Sequence, residues 1–239
     1  MFQKIRNRIF ISVAIAAIIY LAFMIYADYE KVIGSFKNFN WFLLPILLLL
    51  SLGNYFSRFF KWEYYLKIID VKLHKLDSLA IFMSGLIMSV TPGKMGELLK
   101  SYLIKQVNGT SISKTAPIVF AERATDFLSL TILAMAGAYY FDYGKNIILI
   151  IGAMITLVLI IISNKKLFHK IISLLSKFRF ISKYTGKISI AYESSSKLLA
   201  LTPILLMTIL SIVSWGFECF VYYLIVNNFE TQIEFVWAF

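Results

Sequence analysis

The chain has 239 residues, of which 59% are hydrophobic and 15% are charged, and its mean hydropathy is +0.77. Soluble domains are about half apolar and about a quarter charged, so this composition excludes an ordinary soluble domain. The single cysteine, Cys219, excludes a disulfide within the chain. The formal net charge of +11 is compatible with a nucleic acid or a membrane surface as partner, and only the placement of the charges separates the two.

Long apolar blocks recur along the chain. A bilayer core about 30 Å thick needs roughly 20 helical residues to cross it. The first block is longer than the roughly 7–15 residues of a cleavable signal core, which predicts an uncleaved span. The pattern predicts an all-α, polytopic helical membrane protein formed by one membrane domain, with about five spanning helices: 9–27, 41–60, 115–140, 147–163 and 203–226.

The basic residues lie mostly on one side of this predicted topology. If the N-terminus is cytoplasmic and residues 78–112 dip into the membrane and return, the inner segments hold 20 of the 24 lysines and arginines. The outer segments hold only Lys31, Lys37 and Lys145. This positive-inside pattern predicts a multi-pass protein of the cell membrane with its N-terminus and basic loops in the cytoplasm. The charge therefore predicts attraction to anionic headgroups and no nucleic-acid partner.

Two connectors are predicted to lie along the inner membrane surface. Residues 61–77 place Trp62, Tyr64 and Tyr65 after the second span, where aromatic side chains favour the headgroup level. In residues 164–200, apolar residues recur at helical spacing with lysines between them, which predicts a basic interfacial helix. A solvated loop with incidental periodicity is the alternative for this second connector.

The sequence SVTPGKMGELLKSYL, residues 89–103, interrupts an apolar run. The run before it, 79–90, corresponds to about 18 Å of helix, which is too short to cross a bilayer. Pro92 disfavours helical backbone at Thr91 and so ends that helix, while Thr91 can cap a second helix in which Pro92 is the first residue. Two short helices and a tight turn predict a re-entrant hairpin over about 79–106, which requires cover from protein or a wet cavity.

The turn of this hairpin has the chemistry of an anion site. A helix that begins near mid-membrane points unpaired backbone N–H groups and the positive end of its dipole at the turn, which suits a phosphate. Glycines leave that backbone uncovered, Lys94 adds a full charge, and Glu97 can pair with Lys94 or Lys100 or gate the site. The alternative is a glycine-rich packing turn without a ligand. The candidate headgroup-binding residues of the hairpin are Thr91, Pro92, Gly93, Lys94, Gly96 and Glu97.

Three charged residues enter the third predicted span. Glu122 and Asp126 are four residues apart and share a helix face, and Arg123 is three residues from Asp126. Ionisable groups in a membrane are costly and normally face a partner or a cavity, so this cluster is expected to meet Lys94 or Arg58. Two roles are open: the cluster neutralises the basic hairpin, or it forms a polar passage for a charged headgroup.

Two other spans carry polar residues that extend this interior. Glu218 is the only charged residue of the last apolar block and is a second candidate for lining a cavity. Its alternative is a protonated glutamate that is hydrogen-bonded within the bundle. In the second span, Asn54 and Arg58 are four residues apart and can join the same polar interior.

The sequence contains no pattern typical of a catalytic, metal or cofactor site. The only histidines, His74 and His169, lie in separate basic connectors without cysteines or acidic pairs at ligand spacing. No nucleotide-binding loop and no nucleophile–base signature is present. We therefore expect no catalytic residues, no metal and no cofactor.

The two central motifs, SVTPGKMGELLKSYLI and SISKTAPIVFAERATDFLSL, together resemble the lysylphosphatidylglycerol synthase transmembrane family, also described as flippase-like integral membrane proteins. The family pattern is Pro-Gly-Arg/Lys-x-Gly-Glu, a short helix, and then Glu-Arg-x-x-Asp on the next span. Here Pro92 to Glu97 match the first part, and Glu122, Arg123 and Asp126 match the second. RFFKWEYYL and SWGFECFVYYL are also similar to a basic-Trp connector and a Trp-containing late span of the family.

This resemblance implies movement or presentation of lipids with charged headgroups, either aminoacylated phosphatidylglycerol or polyprenyl-phosphate-linked material. The family's membrane domain usually continues with further spans and a second hairpin, so the chain is expected to be incomplete at its C-terminus or to be completed by a second copy. The soluble lysyl-transfer domain of full synthases is absent, which argues against synthesis of the lysyl-lipid by this chain alone.

Three functional hypotheses follow from the sequence. The first is a protein that binds and flips lipids with anionic or aminoacylated headgroups. The second is a non-catalytic membrane subunit that presents lipid to a separate soluble or membrane transferase. The third is a structural membrane component whose charges form only internal salt bridges. A homo-oligomer is compatible with each of them.

Overall fold

The computed structural model describes residues 18–22, 26, 29–88, 96–141, 144, 146–154, 185–229 and 233–238. These residues form helices joined by turns, with no strand among them, which confirms the predicted all-α class. The helices are α1 (Tyr29–Asn38), α2 (Leu44–Ile68), α3 (Lys75–Ile87), α4 (Leu99–Asn108), α5 (Ile112–Phe141), α6 (Thr185–Leu198) and α7 (Leu201–Val226). Short 3₁₀ turns occupy Trp41–Leu43 and Phe235–Ala238, and residues 18–22 and 146–154 are also helical.

Two helices of the described chain are long and apolar enough to cross a membrane. They are Trp41–Ile68, which includes α2, and Leu201–Val226, which is α7, with mean hydropathies of 1.5 and 2.0. The backbone N–H of Asn40 donates to the side-chain oxygen of Asn228 at 2.9 Å, so α2 begins where α7 ends and the two run antiparallel. Most of the predicted span 9–27 and about half of the predicted span 147–163 lie outside the described residues.

Helix α2 extends past the predicted end of the second span. It stops at Ile68, where Asp70 adopts a left-handed conformation (φ 52°) and the N–H of Val71 donates to the carbonyl of Leu66 at 3.0 Å. This is a Schellman termination, in which the residue after the cap reverses the chain and satisfies free carbonyl groups. The reversal directs the chain back into α3.

The predicted interfacial connector at 61–77 is therefore wrong in its first half. Lys61, Trp62 and Tyr65 belong to α2 and are buried, with Trp62 only 1% and Tyr65 0% exposed. The Trp62 indole N–H donates to the Ser78 hydroxyl at 3.1 Å, and the Tyr65 hydroxyl donates to the Ala121 carbonyl at 3.3 Å. Aromatic residues with polar tips suit a headgroup layer, but here protein groups satisfy those tips and the rings join the core.

Helices α3 and α4 correspond to the two arms predicted around the Pro-Gly break. They contain 13 and 10 residues, each too short to cross a bilayer. Helix α3 begins at Lys75, before the expected start, and α4 begins at Leu99 after a 3₁₀ turn at residues 96–98, later than the start expected at Pro92. The turn between the arms, with Thr91, Pro92, Gly93 and Lys94, lies outside the described residues. Helix α4 ends at Gly109, whose positive φ of 75° suits glycine.

The long helix α5 spans 30 residues and contains the third predicted span, with Pro117 inside its first turns. Helix α6 packs against α5 and buries Tyr192, Ser194 and Leu198. The basic stretch predicted to lie on the membrane surface falls mostly outside the described residues, and only its end forms α6.

The apolar core lies where the C-terminal half of α2 meets α3, α4 and α5. It is formed by residues that are at most a few per cent exposed and come mainly from these four helices, with one residue each from α6 and α7: Trp62, Tyr65, Leu66, Ile69, Ile81, Phe82, Ile104, Ile118, Ala121, Leu198 and Met207. This core fixes the positions of the helices that carry the charged residues described next.

Candidate functional site

Eight charged side chains from four helices and the turn before α4 meet beside this core. We call them the charged cluster: Arg58 and Lys61 from α2, Glu97 and Lys100 from the start of α4, Glu122, Arg123 and Asp126 from α5, and Glu218 from α7. Four are basic and four are acidic, so the cluster is formally neutral. Burial of so many charges is costly unless each is paired, and the geometry shows how they are paired.

Lys61 lies at the centre of the charged cluster. Its side chain is 4% exposed, and its ammonium group donates to the Asp126 carboxylate at 2.8 Å, the Ser211 hydroxyl at 2.7 Å and the Glu122 backbone carbonyl at 3.1 Å. Ser211 in turn donates to the same Asp126 oxygen at 3.1 Å. All three ammonium protons are thus used, which fixes α2 against both α5 and α7.

Lys100 forms the second buried ion pair. Its ammonium group lies 2.7 Å from the Glu122 carboxylate and 4.6 Å from the centre of the Trp62 ring, a cation–π geometry. The stem of Lys100 crosses α3 at Gly85, where a β-carbon would lie 2.6 Å from the lysine chain. Glycine suits this crossing because a β-carbon would force the Lys100 side chain to shift.

Arg123 makes longer contacts and is more exposed. Its guanidinium lies 3.2 Å from a Glu97 carboxylate oxygen and 3.4 Å from Asp126, and 25% of its side chain is exposed. Its Nε atom is buried without a hydrogen-bond partner among the described residues. A guanidinium has five N–H donors in a planar fork, so Arg123 retains donor capacity that Glu97 and Asp126 do not use.

Arg58 connects the charged cluster to the middle of α7. It lies 3.6 Å from Asp126 and 3.8 Å from Glu218, its Nε donates to Asn54 at 3.0 Å, and its guanidinium stacks over Trp215 at 5.3 Å. The Asn54 amide also donates to Glu218 and its carbonyl oxygen accepts from Ser214. The Glu218 side chain is 44% exposed, so this end of the cluster is open.

The charged cluster, except Glu218, lines a cavity of about 30 Å³ together with Phe82, Gly85 and Leu86. A cavity of this size holds roughly one water molecule. A phosphate-bearing headgroup is larger, so its entry requires displacement of a side chain. Of the four basic side chains that line the cavity, Arg123 is the most exposed, so we expect its displacement to cost least.

The structure brings together six of the residues predicted from the sequence: Arg58, Glu97, Glu122, Arg123, Asp126 and Glu218. The expectation that the span charges meet Arg58 agrees with the 3.6 Å contact to Asp126. Gly96 opens the 3₁₀ turn beside Glu97. The other four candidates, Thr91, Pro92, Gly93 and Lys94, lie outside the described residues, so their placement stays a prediction.

Two pairings differ from the sequence-based expectation. Glu97 pairs with Arg123, while Lys100, one of its expected partners, pairs with Glu122. Lys61, expected in a surface connector, is instead the central cation of the cluster. The sequence does contain a pattern that places Lys61 in the cluster, because Asn54, Arg58 and Lys61 have the i, i+4, i+7 spacing of one helix face. Lys61 also directly follows the apolar block, and that position is typical of an interfacial residue.

Comparisons with known proteins show which family the chain belongs to. The family model for the lysylphosphatidylglycerol synthase TM region matches residues 9–239. The UPF0104 membrane protein MJ1078 of Methanocaldococcus jannaschii is 29% identical over 155 residues, which cover 63% of this chain and 64% of that protein's length. No solved structure matches the chain. With nearly its whole length matched, and with helices able to span a membrane, the chain belongs to the membrane-protein family of the lysylphosphatidylglycerol synthase TM region.

Proposed function

We propose that this protein binds lipids with anionic or aminoacylated headgroups at the charged cluster and moves them between the two leaflets of the cell membrane. Lysyl-phosphatidylglycerol and polyprenyl-phosphate-linked lipids are the two candidate substrate classes that the family suggests. The observation that carries the proposal is the neutral cluster of eight charges held between apolar helices, with Arg123 and Arg58 at its accessible side. Charged residues in a membrane interior face a partner or a substrate path far more often than lipid tails.

The pairing supports a division between fixed and exchangeable charges. Lys61 and Lys100 have ion pairs of 2.7–2.8 Å and are at most 5% exposed, so they hold the helices together. Arg123 and Arg58 have ion pairs of 3.2–3.8 Å and are 25% and 17% exposed. A phosphate can replace a carboxylate at such an arginine with little loss, because the guanidinium fork binds both groups in the same bidentate manner.

In the proposed arrangement, α3 and α4 are the arms of a re-entrant hairpin whose turn carries Thr91, Pro92, Gly93 and Lys94. Glu97 and Gly96 follow that turn directly, and Glu97 already pairs with Arg123. Lys94 would then lie next to a cluster that is formally neutral, and its charge would give the entrance a net attraction for an anion. Release of Arg123 from Glu97 is the step that enlarges the water-sized cavity for a headgroup.

The proposed orientation places the N-terminus and the basic loops in the cytoplasm. The excess of lysine and arginine in the inner segments supports it. The partners are anionic membrane lipids, with a separate transferase or a second copy of the chain as further partners. Catalysis by this chain alone is not part of the proposal.

The test is lipid movement by the purified protein in phosphatidylcholine vesicles that contain fluorescent phosphatidylglycerol. A membrane-impermeant reductant added outside quenches only the outer leaflet, so the additional quenched fraction measures flipping. We expect Lys94→Ala and Arg123→Ala to slow flipping about tenfold, the effect of losing one charge-assisted contact of about 1.4 kcal/mol. Lys105→Ala, which removes an exposed lysine from α4, is the matched control and should behave like the wild type.

The assay separates the hypotheses clearly. If both variants flip lipid as fast as the wild type while remaining folded, the proposed function is wrong. If the wild type binds phosphatidylglycerol but does not move it, presentation of lipid to a separate transferase replaces flipping as the proposed function.

A further inference from the structure

We propose that the apolar groove between α2 and α3 holds one hydrocarbon chain of the lipid whose phosphate binds at the charged cluster. This inference rests on the proposed function and adds the second half of the ligand. The bound molecule would place its headgroup on one side of α3 and its acyl or prenyl chain on the other.

The groove has a volume of about 550 Å³, which is within the range of volumes of small-molecule binding pockets. Its lining comes from one face of each helix, and the residues that matter most for the argument are Leu52, Phe56 and Phe59 of α2 and Leu79, Met83 and Leu86 of α3. Phe56, Leu52 and Met83 are 60%, 52% and 43% exposed. In a membrane every apolar helix face contacts lipid, so apolarity alone does not mark a site.

The groove is distinguished from other apolar surfaces by its position next to the charged cluster. Leu86 lines both the groove and the charged cavity. Phe82, which lines the charged cavity, packs edge-on against Phe59 of the groove, with ring centres 5.4 Å apart. The two sites are therefore opposite sides of one thin wall, Phe59, Phe82 and Leu86. A lipid that passes over the edge of this wall would place its headgroup against the charged cluster and its chain in the apolar groove.

Helix α2 has the matching two-sided character. One face carries Asn54, Arg58 and Lys61, which contact the carboxylates of α5 and α7. The face turned away from them carries Leu52, Phe56 and Phe59 of the groove. A helix with this division can follow an amphiphile along its length, contacting the phosphate on one face and the chain on the other.

The test uses the full chain in phosphatidylcholine nanodiscs with phosphatidylglycerol that carries a photoreactive diazirine on one acyl chain. Labelled residues are identified by peptide mass spectrometry. We expect label on residues of the groove, and we expect both Leu79→Trp, which fills the groove, and Arg123→Ala, which weakens headgroup binding, to reduce it. For Leu79→Trp the reduction should be about tenfold, equivalent to moving about two methylene groups out of the groove. Leu205→Trp on the exposed surface of α7 is the matched control and should leave labelling unchanged.

Each other outcome overturns the inference. Equal groove labelling by the same diazirine chain on phosphatidylcholine, insensitive to Arg123→Ala, would make the groove an ordinary lipid-facing surface. Absence of groove label from either probe would mean that protein covers it, either a second copy or a segment of this chain. If Arg123→Ala slows flipping while Leu79→Trp does not, the proposed function stands and the groove assignment is wrong. If Arg123→Ala and Lys94→Ala both leave flipping unchanged, the proposed function itself is wrong.

Discussion

The charged cluster consists of two halves that differ in depth and geometry. The closed half, formed by Lys61, Asp126, Lys100 and Glu122, has ion pairs of 2.7–2.8 Å and side chains that are 4–10% exposed. The open half, formed by Arg58, Arg123, Glu97 and Glu218, has contacts of 3.2–3.8 Å, and three of its four side chains are 17–44% exposed. The closed half uses lysines and the open half uses arginines, and the surrounding helices enclose the two halves to different degrees.

This difference indicates which charges build the protein and which are available to a ligand. In the closed half the desolvation cost has already been incurred and is offset by short, hydrogen-bonded pairs, so removal of one partner leaves a buried charge. In the open half, three of the four side chains remain partly accessible and the pairs are longer, so a competing anion can exchange with a carboxylate. Substitutions in the two halves should therefore separate stability from lipid handling.

The largest expected effect on stability is that of Lys61→Met, which removes the central cation of the closed half. Asp126 would lose its shortest ion pair but keep Arg58 and Arg123 nearby, so we expect a loss of about 3 kcal/mol, the lower end for breaking a buried pair. Unfolding in detergent micelles by added denaturing surfactant measures it. The exposed Lys67→Met on the same helix is the control. Equal stability of the two variants would mean that the closed half does not hold the helices together.

A smaller effect is expected from Gly85→Ala, which touches the closed half through Lys100. The new β-carbon would lie 2.6 Å from the lysine stem, so Lys100 must shift and its pair with Glu122 must lengthen. Overpacking of this kind costs about 1–3 kcal/mol. Gly216→Ala in α7, where a β-carbon meets nothing within 4 Å, should be neutral or slightly stabilising in the same unfolding assay. A neutral Gly85→Ala would contradict the tight crossing of α3 and α4.

The open half should respond in the opposite way, with a small change in stability and a large change in function. For Arg123→Gln we expect a stability loss of about 1–2 kcal/mol, smaller than that of Lys61→Met, because the guanidinium is partly exposed, although Glu97 is left buried without its ion pair. The same variant should slow lipid flipping about as much as Arg123→Ala. A double-mutant cycle with Glu97→Gln measures their coupling directly. A stability loss as large as that of Lys61→Met would remove the distinction between the halves.

The smallest effect is expected outside both halves, at the end of α2. Asp70→Gly should stabilise the protein by about 0.5 kcal/mol, since glycine adopts the left-handed conformation at φ 52° without the steric cost that aspartate bears. Thermal unfolding in detergent measures this, with Asp70→Ala as the contrasting variant that should be destabilising. Lipid flipping by Asp70→Gly should match the wild type. A destabilising Asp70→Gly would mean that the aspartate side chain contributes to the turn.

Much of the fold was predictable because it depends on local patterns. The apolar blocks predicted the helical class and the spans now represented by α2 and α7, and the motifs around Pro92 and Glu122 predicted the family that the comparisons confirm. Lys61 and Trp62 were misplaced because a residue just beyond an apolar run looks interfacial whether lipid or protein lies beside it. The number of spanning helices and the re-entrant hairpin stay predictions.

The sequence by itself determined that this is a helical membrane protein of the lysylphosphatidylglycerol synthase TM region family, because composition, periodicity and motifs are properties of the chain alone. It also supplied nearly all members of the charged cluster. Only the tertiary structure decided which charge pairs with which and which residues of α2 and α3 line the apolar groove. Lys100 meets Glu122 and Arg58 meets Glu218 across distant parts of the chain, and Coulomb energy depends on the separation in space that helix packing sets.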